Sequence, residues 1–304
     1  MHDMIIVGAG PAGLTAALYA ARAGMDALVL ERVFAGGQIA RAHMVDNYPG
    51  FPEGISGVEL GLKFKEQAER HGAKIVTSEV TEFKLDGYVK ALVTADGEHA
   101  ARTVVLAMGA KYKSLGLRTE KKYVGRGVSY CATCDGAFFR GKDVAVIGGG
   151  NTALEDALYL TGFCNHIYLV HRRNEFRGEV ALQRAVLASD KIEPLWFNEL
   201  DEVLGEAAVT GMRVRNNQSG EKRDIPLSGV FVAIGQEPET SPLTGLVDMD
   251  ESGYILVDSE MHTSVPGVFA AGDITKKPLR QVITAAGDGA TAVHSAHAYL
   301  KQIK

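Results

Sequence analysis

Two glycine turns in matching positions constrain this 304-residue chain more than any other feature. They are Gly8-Ala9-Gly10-Pro11-Ala12-Gly13 and, 140 positions later, Gly148-Gly149-Gly150-Asn151-Thr152-Ala153. Each follows a short apolar run, Met4-Ile5-Ile6-Val7 or Val144-Ala145-Val146-Ile147, and each opens an alanine- and leucine-rich helical stretch. Strand, glycine turn and helix in that order make a dinucleotide-binding unit. The glycines permit the tight turn and the close approach of a pyrophosphate, and the helix N-terminal amides meet its charge. One such match alone is weak evidence, whereas two in register indicate an internal duplication.

The register holds at the second diagnostic position. Ala27-Leu28-Val29-Leu30 runs into Glu31, and Ile167-Tyr168-Leu169-Val170 runs into His171, again 140 positions on. Chemistry then separates the copies. Glu31 accepts hydrogen bonds from a ribose 2′-hydroxyl and repels a 2′-phosphate, whereas His171-Arg172-Arg173, with Arg177 a turn further on, suits that phosphate. Read alone, the arginines would be a solvated loop, and it is their register with Glu31 that gives them a ligand.

A net charge of −5 leaves no basic face for nucleic acid or an anionic membrane, so small molecules or proteins are the expected partners. The apolar stretch from Met4 to Ala23 lacks a basic n-region and places its glycines and proline at fingerprint positions. It reads as a βα unit and not a signal peptide. No segment approaches the length of a membrane span.

Three cysteines are too few for a secreted disulfide framework, and two of them stand together in Cys131-Ala132-Thr133-Cys134, followed by Asp135. A reducing cytosol is the expected compartment. Cys164 reads as a small core residue. The pair has three readings: a zinc half-site, inert core cysteines or a redox couple. Zinc needs two further ligands, and the paired candidates, His294 and His297, lie far off on another helix. A redox couple also accounts for Asp135, since disulfide exchange needs a proton for the leaving thiolate; a solvated carboxylate is the alternative for that residue. Thr152 to Glu155 has the pattern of a helix-capping box, although Asn151 and Thr152 also lie at pyrophosphate positions.

The segment from Lys74 to Ala110 alternates apolar and polar residues with turns at Asp86-Gly87 and Asp96-Gly97, which predicts antiparallel strands laid against the first βαβ unit. It ends in a strand, Thr103 to Met108, running into Gly109. The second half repeats the plan around Met212 to Arg215 and from Gly229 to Gly235. A third such strand, Gly267 to Asp273, has no counterpart in the second half and is expected to return to the first domain. The expected fold is α/β, with two Rossmann-like nucleotide-binding domains of three-layer ββα type, the second inserted into the first. The boundaries read as 1–112, 113–240 and 241–304, with linkers at Lys111 to Lys122 and Gln236 to Gly245.

With these features the whole chain resembles the low-molecular-weight, bacterial-type thioredoxin reductases. The most specific elements are Cys-Ala-Thr-Cys-Asp-Gly at 131–136, the glycine run at 148–153, and His-Arg-Arg-x-x-Phe-Arg at 171–177. The resemblance implies a cytoplasmic, homodimeric FAD and NADPH enzyme that reduces thioredoxin. A related disulfide reductase serving a glutaredoxin-like or peroxidase partner, or a flavoprotein NAD(P)H oxidase, is the alternative. Alkyl hydroperoxide reductase flavoproteins share the core but carry an extra N-terminal module, for which a first strand at about residue 3 leaves no room.

By the same resemblance Gly36, Gly37, Gln38 and Asn47 contact the flavin region and Asp273 binds the ribityl chain. Val80, Gly109 and Gly272 belong to the flavin site, while Ile234 and Gly235 belong to the nicotinamide site that Glu155 approaches. Backbone amides of Arg280, Gln281 and Val282 are expected to face the pyrimidine edge of the ring, where negative charge develops on reduction. Asp273 also fits on physical grounds, as a carboxylate at the C-terminal end of a strand where ligands bind in open α/β sheets, with a turn cap as the alternative. Cys134 would face the flavin and Cys131 would attack the partner. No metal is implied. Because the dithiol and the arginines share one domain and the flavin residues the other, the inserted domain is expected to rotate about hinges near 111–117 and 236–244.

Overall fold

The computed structural model describes residues 1–42 and 44–303, and of Arg41 the backbone alone. The chain divides into two compact units, Met1–Lys111 with Glu237–Lys304, and Tyr112–Gln236. The boundaries thus fall after Lys111 and after Gln236, where 112 and 240 were expected.

The first unit opens with β1 (His2–Val7), α1 (Pro11–Arg22), β2 (Ala27–Glu31), α2 (Gly57–Arg70) and β3 (Lys74–Thr77). It continues through β4 (Val80–Lys84), β5 (Lys90–Thr94) and β6 (Gly97–Leu106). β7 (Ala110–Tyr112) leads to the inserted unit, which runs through α3 (Arg118–Tyr123), β8 (Val128–Ser129), α4 (Ala132–Asp135), β9 (Asp143–Ile147) and α5 (Asn151–Leu160). It goes on through β10 (His166–His171), α6 (Val180–Ala188), β11 (Ile192–Trp196), β12 (Asn198–Gly205), β13 (Val209–Asn216), β14 (Lys222–Pro226) and β15 (Gly229–Val232). β16 (Gln236–Pro238) pairs with β7, and β17 (Val268–Ala270) and α7 (Val282–Gln302) complete the first unit.

In the first unit the sheet order is β3-β2-β1-β6-β5-β4, with β17 also on β6. The strand β6 is long enough to serve three partners. Gly97 to Ala101 pair antiparallel with β5, while Ala101 to Leu106 pair parallel with β1, and Val104 to Leu106 pair parallel with β17. The antiparallel expectation for the whole 74–110 segment therefore fails at its start. Lys74–Thr77 pairs parallel with β2, because the helix α2 carries the chain back across the sheet before β3 begins. β1 is fully apolar and buried from Met4 to Val7, as the centre of a sheet covered on both faces requires. Helix α7 packs on α1, where Gly289 allows backbone contact: a Cβ there would lie 2.2 Å from Ala12 O.

The inserted unit repeats the plan with a parallel sheet, β11-β10-β9-β15-β8, and an antiparallel sheet, β12-β13-β14. The expected linkers are more ordered than their composition suggested. Arg118–Tyr123 is helical with Glu120 and Tyr123 buried, and Leu243 is fully buried in the core of the first unit.

Candidate dinucleotide and dithiol sites

In the first unit the three fingerprint glycines do different work. A Cβ at Gly8, whose φ is 101°, would lie 2.5 Å from Ala107 O, and one at Gly13 would lie 1.9 Å from Gly8 O. These two are required by packing. At Gly10 a Cβ would meet nothing nearer than Gly37 Cα at 4.0 Å, so this glycine keeps space open in front of the α1 N-terminus, where Pro11 and Ala12 begin the helix. Glu31 accepts from the amides of Ala9 at 2.7 Å and Val33 at 3.0 Å. A carboxylate has further lone pairs for ribose hydroxyls, so the same group braces the turn and remains a ligand.

Gly36 and Gly37 are left-handed, with φ of 119° and 60°, and Gly37 stands against Gly10. Gln38 Nε2 donates to Ala110 O at 3.0 Å, and Asn47 Nδ2 donates to Gln281 Oε1 at 3.0 Å. Val80 packs half-buried at the start of β4 and Gly109, with φ of 72°, follows β6.

Gly272 follows β17 and donates its amide to Asp288 Oδ2 at 2.9 Å, and Asp288 is ion-paired with Lys277. Beside it, Asp273 Oδ1 is buried with no partner among the described residues. Burial raises the Asp273 pKa, and the charges of Lys277 and Arg280 pull it back. An orphaned, buried carboxylate oxygen just past the C-terminal end of a strand is what a polyol-bearing dinucleotide would satisfy, so the residues fit FAD.

One expectation shifts here, at the Gln281 amide. The Arg280 guanidinium lies 4.0 Å over the Tyr254 ring and donates to the carbonyls of Asp273 and Thr275, so it braces its own loop. Gln281 caps α7 in a reciprocal box with Thr284, and its amide, expected to face a ligand, donates to Thr284 Oγ1 at 3.1 Å.

In the inserted unit Gly148 is again required by packing, with a Cβ 2.4 Å from Ala233 O, and Gly150 again faces open space. Helix α5 starts at Asn151 with Gly150 as N-cap and no capping side chain. The expected capping box at Thr152 to Glu155 is therefore absent, because the helix begins two residues earlier than a Thr152 cap would require. Thr152 and Glu155 are exposed, and the Asn151 side chain is tied to Glu179 through its amide at 2.7 Å and its Oε1 at 3.2 Å. Gly235 has φ of 103° and accepts the Lys113 amide at 3.0 Å, with Ile234 half-buried before it.

Arg172, Arg173 and Arg177 are exposed, and among the described residues their guanidinium groups have no hydrogen-bond or ion-pair partner. The Arg177 amide donates to Gly149 O at 2.7 Å, which fixes the cluster to the glycine turn. His171 departs from the expectation of a phosphate ligand. It is 4% exposed, packs with Phe176 and Trp196, and lies so close to Gly149 that a Cβ there would be 2.3 Å from its ring. Burial lowers its pKa, and the three arginines lower it further against a hydrogen bond with the Glu175 backbone. A neutral ring supports the turn but adds no charge for a phosphate.

Cys131 and Cys134 form a disulfide with Cα atoms 5.3 Å apart. The single-turn helix α4 sets this spacing: Cys131 is its N-cap, Asp135 N donates to Cys131 O at 3.1 Å, and Cys134 N reaches Cys131 Sγ at 3.2 Å. Asp135 is half-buried, not a solvated carboxylate, and burial raises its pKa against a hydrogen bond from Ser129 that lowers it. Among the described residues no group of three or more metal-ligating side chains converges. Cys164 is buried and unpaired, with its thiol pushed up to about 11 by burial.

Two buried polar residues here escaped sequence reasoning. Ser129, 5% exposed, links the Cys131 backbone to Asp135. Glu120, fully buried, accepts from Ser114 Oγ, the amides of Leu115 and Gly116, and Tyr130 Oη, at 2.8 to 3.0 Å.

The family model for pyridine nucleotide-disulphide oxidoreductases matches residues 2–289. A thioredoxin reductase of Mycolicibacterium smegmatis is 45% identical over 303 residues, covering 99% of this chain and 97% of that one. A bifunctional thioredoxin reductase/thioredoxin of Mycobacterium leprae is 47% identical over 304 residues, which is 99% of this chain and 66% of its own length. The solved thioredoxin reductase of Streptococcus pyogenes is 41% identical, with 99% of each chain covered and a TM-score of 0.96.

Proposed function

The chain belongs to the pyridine nucleotide-disulphide oxidoreductases, and within them to the bacterial-type thioredoxin reductases, and on that premise we propose that it uses NADPH and bound FAD to reduce thioredoxin through the Cys131–Cys134 disulfide. The observation that carries this reading is the disulfide itself, closed across one helical turn with a partly buried carboxyl in the same turn. The net reaction is NADPH + H⁺ + thioredoxin disulfide → NADP⁺ + thioredoxin dithiol.

Gly10, Glu31, Asp273 and the α1 N-terminus would hold FAD, and Gly150 with Arg172, Arg173 and Arg177 would hold NADPH. FAD, when bound, supplies a two-electron relay between a nicotinamide and a disulfide. The remaining chemistry is the chain's own. Two electrons break the Cys131–Cys134 bond and leave two sulfurs. The Cys131 thiolate attacks the thioredoxin disulfide, forming a mixed disulfide and expelling one partner thiolate, which takes a proton. Cys134 then attacks Cys131 Sγ, restoring the internal disulfide and expelling the second partner thiolate. Asp135, whose pKa burial raises, protonates a leaving sulfur. The functional unit in this reading is a cytoplasmic homodimer.

The deciding measurement is anaerobic NADPH oxidation by the FAD-loaded protein with purified thioredoxin. The expected result is turnover that requires thioredoxin and disappears in Cys131→Ser. With air admitted in place of thioredoxin, oxidation that is rapid and survives Cys131→Ser would mark an oxidase. Turnover with a glutaredoxin-like protein or a peroxidase and none with thioredoxin would move the partner.

A further inference from the structure

The dithiol turn contains a hydroxyl whose position the reaction above does not use. Ser129 ends β8 two residues before Cys131 and is 5% exposed. Its Oγ accepts the Cys131 amide at 3.0 Å and lies 2.6 Å from Asp135 Oδ2, with a longer 3.4 Å contact to Cys131 O. A hydroxyl has one proton, and the 2.6 Å contact to a carboxylate takes it, since charge-assisted bonds are the shorter and stronger ones. The direction of the chain is then set: Cys131 N–H donates to Ser129 Oγ, and Ser129 O–H donates to Asp135 Oδ2.

We propose that Ser129 is a positioning residue of the dithiol site, joining the Cys131 backbone to Asp135 Oδ2 so that Asp135 Oδ1 is the oxygen that carries and releases the proton. This rests on the reading of Asp135 as the proton donor. Two consequences follow from the geometry. First, the Asp135 side chain is pinned relative to Cys131 by one bridging atom, which removes rotamer freedom from the donor before a sulfur leaves. Second, Ser129 stabilises the ionised carboxylate and so opposes burial, holding the donor below the value that desolvation alone would impose. A donor raised without limit would keep its proton, so the serine matches it to its task.

The surroundings contribute little charge. Helix α5 packs on α4 and carries Glu155, Asp156 and Tyr159, while β8 and residues 136–139 carry no titratable side chain. Burial and Ser129 are the influences resolved on Asp135. Removing the hydroxyl should therefore move Asp135 upward without a competing effect.

The test uses the full FAD-loaded chain, reduced with dithiothreitol, freed of reductant, and alkylated with iodoacetamide across pH in wild type, Asp135→Asn, Ser129→Ala and Ser129→Thr. The wild-type rate profile should show an inflection that Asp135→Asn lacks. In Ser129→Ala that inflection should move up by about one pH unit, the size expected for one lost bond to a charged group. Ser129→Thr, which keeps the hydroxyl, should restore it. An unmoved inflection in Ser129→Ala overturns the proposal, and so does a Ser129→Thr profile that matches Ser129→Ala. An inflection that persists in Asp135→Asn overturns instead the assignment of Asp135, and the role of Ser129 with it. Ser129→Ala removes one buried oxygen and adds no atom, and thermal unfolding of that variant, expected within a few degrees of wild type, confirms that the profile is read from folded protein.

Discussion

Asp156 shows how a single residue can work against the fold that holds it. It sits half-buried on α5, and burial, with Glu155 adding to it, raises its pKa to about 7. A carboxyl with a folded value above its unfolded value favours folding when protonated, so this contribution is complete below about pH 4 and is lost as pH rises through about 7. Asp156→Asn should therefore stabilise the protein at pH 8, on the order of 2 kcal/mol, and leave stability at pH 4 nearly unchanged. Urea unfolding at the two pH values measures this, and an equal gain at both would show that charge burial is not the cause. The arginines make the opposite case, exposed charge without an ion-pair partner among the described residues. Replacing Arg172 and Arg173 by alanine should weaken NADPH by about ten- to hundredfold per arginine and scarcely change NADH. Equal losses for both, read as dissociation constants by titration, would detach the cluster from the 2′-phosphate. The exposure of the arginines was legible from their run of charge, and it is their register with Glu31 that proposes a ligand for them. Ser129 and Glu120 were not: a serine before a cysteine and a glutamate in Arg-Thr-Glu-Lys-Lys look solvated, and burial shows only once β8 and α3 are packed. His171 misled for the same reason, its neighbours in sequence being charged and its neighbours in space aromatic.

Whole elements divide the glycines by purpose. Gly13 lies where α1 presses on its own turn, and Gly13→Ala places a Cβ 1.9 Å from Gly8 O. That collision is between backbone atoms and cannot relax by rotamer change, so about 3 kcal/mol or more of stability should be lost. Gly150 meets nothing within 4 Å and has an ordinary φ of −95°, so Gly150→Ala should shift stability by about 1 kcal/mol or less while weakening NADPH at least about tenfold. Thermal unfolding and NADPH titration on both variants separate the two roles, and a Gly150→Ala protein that binds NADPH normally would mean the pyrophosphate does not approach that turn. Helix α3 carries a different requirement. Glu120 accepts from four donors inside the protein, and Glu120→Leu would remove that acceptor from all of them, the Gly116 amide keeping its bond to Ser114 Oγ, at a cost of about 3 kcal/mol. A loss below about 1 kcal/mol in urea unfolding would show that water replaces the carboxylate. At this scale the strand-turn-helix units were readable because apolar run, glycine and helix former coincide in each. The direction of Lys74–Thr77 was not, since its four residues have the same alternation whether the pairing is parallel or antiparallel, and only the return of the chain through α2 decides it.

For the molecule as a whole, the insertion was legible from one missing counterpart: Gly267 to Asp273 had no equivalent in the second half, and Val268–Ala270 indeed pairs with β6 of the first unit. The return boundary was harder to read, because Glu237 to Leu243 has the prolines and charges of a linker while Leu243 is fully buried. This architecture makes the two units unequal as fragments. The hydrophobic clusters of the inserted unit draw on residues between Leu115 and Ile234 alone, whereas those of the first unit need both of its segments, with Phe269, Val293 and Ala296 packed among Met4, Leu14 and Val105. A fragment spanning Tyr112–Gln236 is long enough to hold a core of its own. Expressed alone, it should unfold cooperatively in urea, form the Cys131–Cys134 disulfide and bind NADPH without FAD. A fragment ending at Lys111 should not fold, since β6 lacks β17 and α1 lacks α7. Circular dichroism with urea titration, together with binding to immobilised 2′,5′-ADP, tests both halves of this expectation. An inserted unit that stays unfolded until the first unit is added would show that its two clusters are not sufficient, and that the division into units describes shape but not folding.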